Sequence, residues 1–130
     1  MLDTNIASFI IRGPNDALRA RLTATQPAAV CLSAVTEGEL LYGLARKPGA
    51  KALRLAVGAL LHHLEVLPWD RTVASGYGEL RAALEGNGTP LANLDTMIAA
   101  HALAAGCVLV SNDKAFARVP GLRVEDWTKP

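Results

Sequence analysis

Short apolar runs separated by stretches with helical periodicity constrain this chain more than any other feature. Residues 28–32 read as a buried strand, residues 65–67 as a second, and residues 107–111 as a third and stronger one. Strands this short and this apolar are buried on both faces, as in a parallel sheet covered by helices. The intervening segments supply the helices. Residues 6–11 form an apolar helix broken by Gly13-Pro14-Asn15, and residues 16–24 carry Leu18 and Leu22 on one face. Residues 33–45 have Val35, Leu40, Leu41 and Leu44 as their apolar side, and Pro48-Gly49 ends that helix. Residues 50–64 follow, with Leu53, Val57, Leu60, Leu61 and Leu64 as a stripe that serves either the core or a dimer seam. Asp70 caps a helix over 71–84, residues 86–90 form a loop, and residues 94–105 make the last long helix. Met1-Leu2 supplies the visible end of a short first strand, Ala115-Phe116 a helical turn, and residues 122–125 an edge strand. The expected architecture is a three-layer α/β/α domain with a mostly parallel sheet of about five short strands, spanning 1–130 as one unit.

Composition narrows the function. With 51% hydrophobic and 19% charged residues, the chain has the makings of a packed core and not of a disordered segment. Its net charge is +1, so a nucleic acid could not be held by bulk phosphate attraction. Recognition would have to be local, or assisted by metal ions or a second subunit. Cys31 and Cys107 lie in apolar runs without metal-ligand spacing, and two buried free thiols fit a reducing cytosol better than a disulfide. Asp3 and Arg12 interrupt any N-terminal leader, and the apolar stretch 97–110 is too short to span a bilayer. A cytoplasmic protein without membrane contact is expected.

In an open parallel sheet, functional groups gather beyond the carboxyl ends of the strands. Four acids occupy positions that such a sheet can bring together. Asp3 follows the first strand, Glu39 lies in the helix leaving the second, Asp95 begins the helix entering the last core strand, and Asp113 follows that strand. Each has an ordinary structural role available. Asp3 can cap a helix, Glu39 can close a capping box with Thr36, Asp95 can favour a helix N-terminus, and Asp113 can form a turn. Together they suit a hard divalent cation, Mg²⁺ or Mn²⁺, which takes oxygen ligands and supports attack on a phosphodiester. Spacing alone leaves both readings open.

At these residues the chain resembles the VapC branch of the PIN-domain nucleases. The matching segments are Leu2-Asp3-Thr4-Asn5, Ser33 to Thr36 with Glu39-Leu40 and Tyr42-Gly43, Leu94 to Ala102, Leu109 to Asp113 with Phe116, Val119 to Leu122, and Glu125-Asp126-Trp127. They run in order along essentially the whole chain. The resemblance implies a catalytic and metal-binding set of Asp3, Glu39, Asp95 and Asp113, with Asp3 and Asp95 the principal Mg²⁺ ligands and Asn5 and Ser111 in support. It implies an endoribonuclease that cuts tRNA or ribosomal RNA and stalls translation as the toxin of a toxin–antitoxin pair. It further implies a homodimer, a cognate antitoxin that enters the acidic groove, and hetero-oligomers with it. Ser111 stands where the family's motif usually has Thr, keeping the hydroxyl, and only two residues precede Asp3, so a short first strand is expected.

Other residues carry weaker signals. His101 lies six residues after Asp95 and faces away from it on a helix, as a core or interface histidine would. His62-His63 reads as surface or dimer contact, because adjacent helical residues diverge. Arg46, Lys47, Lys51 and Arg54 form the densest basic cluster, a solvated helix junction in the first instance and an RNA contact in the second. An aspartate-nucleophile phosphatase would need an acid where Asn5 stands. The remaining alternative is a PIN-type module that binds nucleic acid or a partner with little cleavage, acting in a DNA-binding toxin–antitoxin complex.

Overall fold

The computed structural model describes residues 1–130. Its elements in chain order are α1 (Thr4–Arg12), α2 (Asp16–Ala24), β1 (Cys31–Ser33), α3 (Ala34–Ala45), α4 (Lys51–His63), β2 (Glu65–Leu67), α5 (Arg71–Gly86), α6 (Asn93–Ala105), β3 (Leu109–Val110) and β4 (Val124–Glu125). Turns of 3₁₀ helix occupy Pro27–Ala29 and Lys114–Arg118. β1 pairs with β2 and β3 with β4, both in parallel. Leu2 bridges Leu32 on one side and Val110 on the other, again in parallel, and so joins the two pairs. The expected first strand is thus reduced to a single bridging residue, flanked by four named strands.

Side chains alternate across this sheet as the pleat requires. Leu2, Leu32 and Val110 belong to a core that also takes in Ile6, Ala7, Leu18, Leu40, Val57 and Leu60, with Val66 packed against it. Met1 and Leu109 belong to a second core with Val73, Leu80, Leu84, Ile98 and Phe116, against which Cys31 and Leu67 pack. Helices α1 to α4 therefore cover one face and α5 with α6 the other, which gives the expected three layers. Val57 and Leu60 are core residues, which assigns that stripe to packing within the chain.

Several expected boundaries shift for physical reasons. The first helix starts at Thr4, because the Asp3 carboxylate accepts from the Ile6 N–H and nucleates the turn earlier than the apolar pattern shows. The strand expected over 28–32 begins only at Cys31, since the fixed φ of Pro27 opens a 3₁₀ turn instead. The strand expected over 107–111 is paired only at Leu109–Val110: Gly106 is left-handed (φ 66°) and closes α6, and the Cys107 N–H is spent on Ala102 of that helix. Cys31 and Cys107 are free as expected but half-buried rather than buried, their sulfurs 3.9 Å apart. His62 and His63 are exposed.

Because Leu2 is fully buried and ties both strand pairs together, Leu2→Ala should cost about 2–5 kcal/mol. Urea unfolding would show a lower midpoint. Leu55→Ala, at a side chain 76% exposed, should stay within about 0.5 kcal/mol of the parent.

Candidate active site

All paired strands run the same way, so their carboxyl ends share one edge of the sheet. Asp3 and Ser111 each follow a bridge or strand onto that edge, and Ser33 ends β1 there. Asp3 is 3% exposed, held by backbone hydrogen bonds from its own N–H to Val110 and by the Ile6 N–H on its Oδ1. Glu39 is brought to the same edge by tertiary contact. The Thr4 hydroxyl donates to Glu39 Oε1 at 2.6 Å, and with that proton committed the Thr36 hydroxyl donates to Thr4 at 3.2 Å. The capping box expected between Thr36 and Glu39 does not form, because Ser33 is the N-cap of α3 and Thr36 is buried within its first turn. Sequence reasoning misses Thr4. A hydroxyl one residue after Asp3 is the only signal it offers.

Asp113 caps the 3₁₀ turn after β3 through Ala115 N–H, and its own N–H donates to the Ser111 hydroxyl. Asp95 lies in the first turn of α6, as expected, and has no cap bond to make. The electrostatics gather all four acids into one neighbourhood. Burial pushes Asp3 above the usual carboxylate range, opposed by hydrogen bonds from Ser111 and Ile6, while Asp113 and Glu39 add repulsion. Burial also raises Asp95, reinforced by Asp113, Asp3 and Glu39. None of the three ion pairs in the chain involves these acids.

Four carboxylates with no cationic partner, one of them almost wholly buried, form a donor set suited to a hard cation. No three of them stand close enough to enclose an ion by themselves. A hard cation that keeps several waters and takes only one or two carboxylates directly would not require three. Asn5, expected in support, is exposed and makes no bond to the acids, but it lines a cleft of about 440 Å³ that starts at Thr4 and Glu39. His101 is buried and shares a 2.7 Å hydrogen bond with the Ser33 hydroxyl, so it packs beneath the edge and holds the start of α3. Burial lowers its pKa and keeps it neutral.

The PIN-domain family profile matches residues 1–122. The chain is 38% identical over 128 residues to the tRNA(fMet)-specific endonuclease VapC of Salmonella typhimurium, covering 98% of this chain and 96% of that protein. It is 33% identical over 131 residues to ribonuclease VapC2 of Rickettsia felis, covering 99% and 98% respectively. Among solved structures it is similar to a DNA-bound VapBC complex from Salmonella typhimurium, with a TM-score of 0.91 at 38% identity over 98% of this chain and 96% of the matching one.

The raised acids have a consequence for stability. A carboxylate whose folded pKa exceeds its unfolded value binds more protons when folded, so stability falls as pH rises from the ordinary carboxylate range through the folded pKa. Without metal, Asp3→Asn should be more stable than the parent at pH 7, and the advantage should shrink as pH is lowered toward 4. Taking the difference between the two unfolding profiles cancels the opposite contribution of His101, whose lowered pKa costs stability on acidification. A difference that is flat with pH would show that Asp3 carries no such strain.

Proposed function

The chain belongs to the PIN-domain family, and from that membership and the geometry of its acidic edge we propose that it is a metal-dependent endoribonuclease, the toxin of a toxin–antitoxin pair. The observation that carries this reading is the convergence of Asp3, Glu39, Asp95 and Asp113 at one strand edge without any cationic side chain to neutralise them. Curated relatives named as VapC ribonucleases, one of them specific for tRNA(fMet), support RNA as the substrate and a tRNA as its form. Loss of translation follows from cutting such an RNA. Similar solved chains that come from VapBC complexes support a cognate antitoxin as partner. No helix is long and apolar enough to cross a membrane, and a cytoplasmic site of action accords with the substrate.

In this reading Asp3 and Asp95 would be the principal ligands of Mg²⁺ or Mn²⁺, with Glu39 and Asp113 completing the set directly or through water. The bound cation would lend charge stabilisation to the phosphate and acidity to an attacking water. The protein's contribution is to hold its acids in place beforehand. Asp3 is held by the N-terminus of α1, while Glu39 is held by Thr4, which is in turn bonded to Thr36. Such fixed positions cost no reorganisation when RNA arrives. Glu39 and Asp113, half-buried like Asp95, would be the groups to accept a proton from water.

Three outcomes are expected. Mn²⁺ or Mg²⁺ should raise the melting temperature by binding the native state only, and Asp95→Asn should reduce or remove the shift. An unshifted wild type would count heavily against a metal site. Purified Asp3→Asn should fold and bind RNA, yet cleave tRNA at least on the order of 100-fold more slowly than the parent in Mg²⁺, and it should not arrest growth when expressed alone. His101→Ala should lose stability by about 1–3 kcal/mol through its packing and its bond to Ser33, while still cutting. Mapping RNA ends after brief expression identifies the cut, and cleavage by Asp3→Asn at the wild-type rate would sink the proposal.

A further inference from the structure

We propose that the cleft between α1, α3 and α4 is a phosphate subsite, in which Arg12, Arg46 and Lys47 hold the RNA backbone beside the phosphate at the acid cluster. The proposal rests on the nuclease reading and adds to it the residues that would give a nearly neutral protein its grip on RNA.

The cleft follows two helices outward from the acidic edge. Its lining includes Thr4, Ser8 and Arg12 along α1, and Glu39, Gly43 and Arg46 along α3. Thr4 and Glu39 are hydrogen-bonded to each other, so both helices begin the cleft at the same end. Arg12 is eight residues beyond Thr4 and Arg46 seven beyond Glu39. At the α-helical rise the cations therefore stand roughly 10–12 Å from the acid end. A strand entering at the acids would meet positive charge about two phosphates along. Ile11, Leu40, Leu53 and Val57 also line the cleft and give it an apolar surface on which bases can lie.

The three cations are free to act. The ion pairs of the chain are Arg21–Glu125, Arg81–Glu85 and Lys129–Asp126, so no carboxylate neutralises Arg12, Arg46 or Lys47. Aromatic and backbone contacts orient the two guanidinium groups without cancelling their charge. Arg12 lies 5.5 Å from the Phe9 ring centroid and donates to Ser8 O at 3.3 Å, and Arg46 lies 5.6 Å from the Tyr42 ring centroid. The basic cluster seen in sequence thus divides. Arg46 and Lys47 line the cleft, whereas Arg54 turns back onto the Pro48 carbonyl and belongs to the helix junction. Arg12, distant in sequence, joins the first pair.

Cations also complement the C-termini of helices, where Arg12 and Arg46 sit. That role affects stability alone. An acidic protein segment would suit the cationic end but would be repelled at the Glu39 end. RNA suits both ends once a divalent cation occupies the acids.

The test compares Arg46→Gln/Lys47→Gln, Arg12→Gln and an exposed control cation on α5, Arg71→Gln. Cleavage of a single-stranded RNA oligonucleotide carrying the mapped cut site is measured in Mg²⁺. Binding of the same oligonucleotide is measured by fluorescence anisotropy across a KCl series, with each change placed in the Asp3→Asn background. The double variant should bind about tenfold more weakly or worse and raise KM in proportion, with kcat within about twofold. The slope of log K against log salt should become shallower by about 1.4, that is about 0.7 for each single-strand phosphate left without its cation. Arg12→Gln should show half that change in slope, and carries the test alone if the double variant does not fold. Arg71→Gln should leave every quantity unchanged. Unaltered affinity and salt slope in cleavage-competent variants would overturn the subsite and leave the nuclease reading standing. A wild type that binds RNA through these cations but never cuts would overturn the nuclease reading and not the subsite. Unchanged RNA binding with weakened binding of a polyglutamate peptide would assign the cleft to an acidic protein segment and overturn the proposal.

Discussion

Three backbone hydrogen bonds around Leu2 hold the two halves of the sheet together. The Leu2 N–H donates to Cys31 O at 3.0 Å, the Asp3 N–H to Val110 O at 3.0 Å, and the Val110 N–H to Met1 O at 2.8 Å. No other β-bridge links β1 to β3. The same bonds set the pleat, so Leu2 enters one core and Met1 the other. They also carry Asp3 to the carboxyl edge with its backbone already fixed. The stability of the fold and the placement of its most buried acid therefore depend on one short stretch of chain.

Burying Asp3 among other acids is costly, and the local structure offsets part of that cost. The N-terminus of α1 offers it the Ile6 N–H and a favourable dipole, while Ser111 offers a hydroxyl. These contacts lower its pKa but do not overcome burial and the repulsion from Asp113 and Glu39. The site is thus left with unneutralised charge by construction. Thr4 and Thr36 extend the same pattern, spending two buried or half-buried hydroxyls to hold Glu39 near the others. Structural capping and a functional role are compatible here, because the cap that starts α1 is what aims Asp3 at the edge.

The layer order, the helix from Asp16 to Ala24, the strand from Glu65 to Leu67 and the cap at Asp70 were legible because each depends on local chemistry. The acids at strand ends were legible for the same reason, once parallel strands were expected. What escaped was set by tertiary contact. Thr36 looked like the partner of Glu39 within one helix, whereas the partner is Thr4, 35 residues away. The basic cluster could not be divided by sequence, since only the fold turns Arg46 and Lys47 toward α1 while Arg54 folds back. The nearness of Cys31 to Cys107 likewise follows from the chain crossing the sheet, not from spacing.

A net charge of +1 conceals a strongly divided surface. Along one cleft the chain sets Glu39, the member of the acid cluster that lines it, at one end and cations without ion-pair partners at the other, joined by two helices that leave the same edge of the sheet. Bulk attraction for nucleic acid is weak in such a protein, and affinity must come from the register of a strand with this pattern. In the proposed reading register would also select the bond for attack: a phosphate fixed over the cations would place one about two along over the acids. In that reading the negative end would disfavour RNA until a divalent cation offsets its charge, and Asp3→Asn, which removes one of those charges, would let binding be read without cutting. Charge separation along a single cleft would thus give a small, nearly neutral domain both the grip and the selectivity proposed for it.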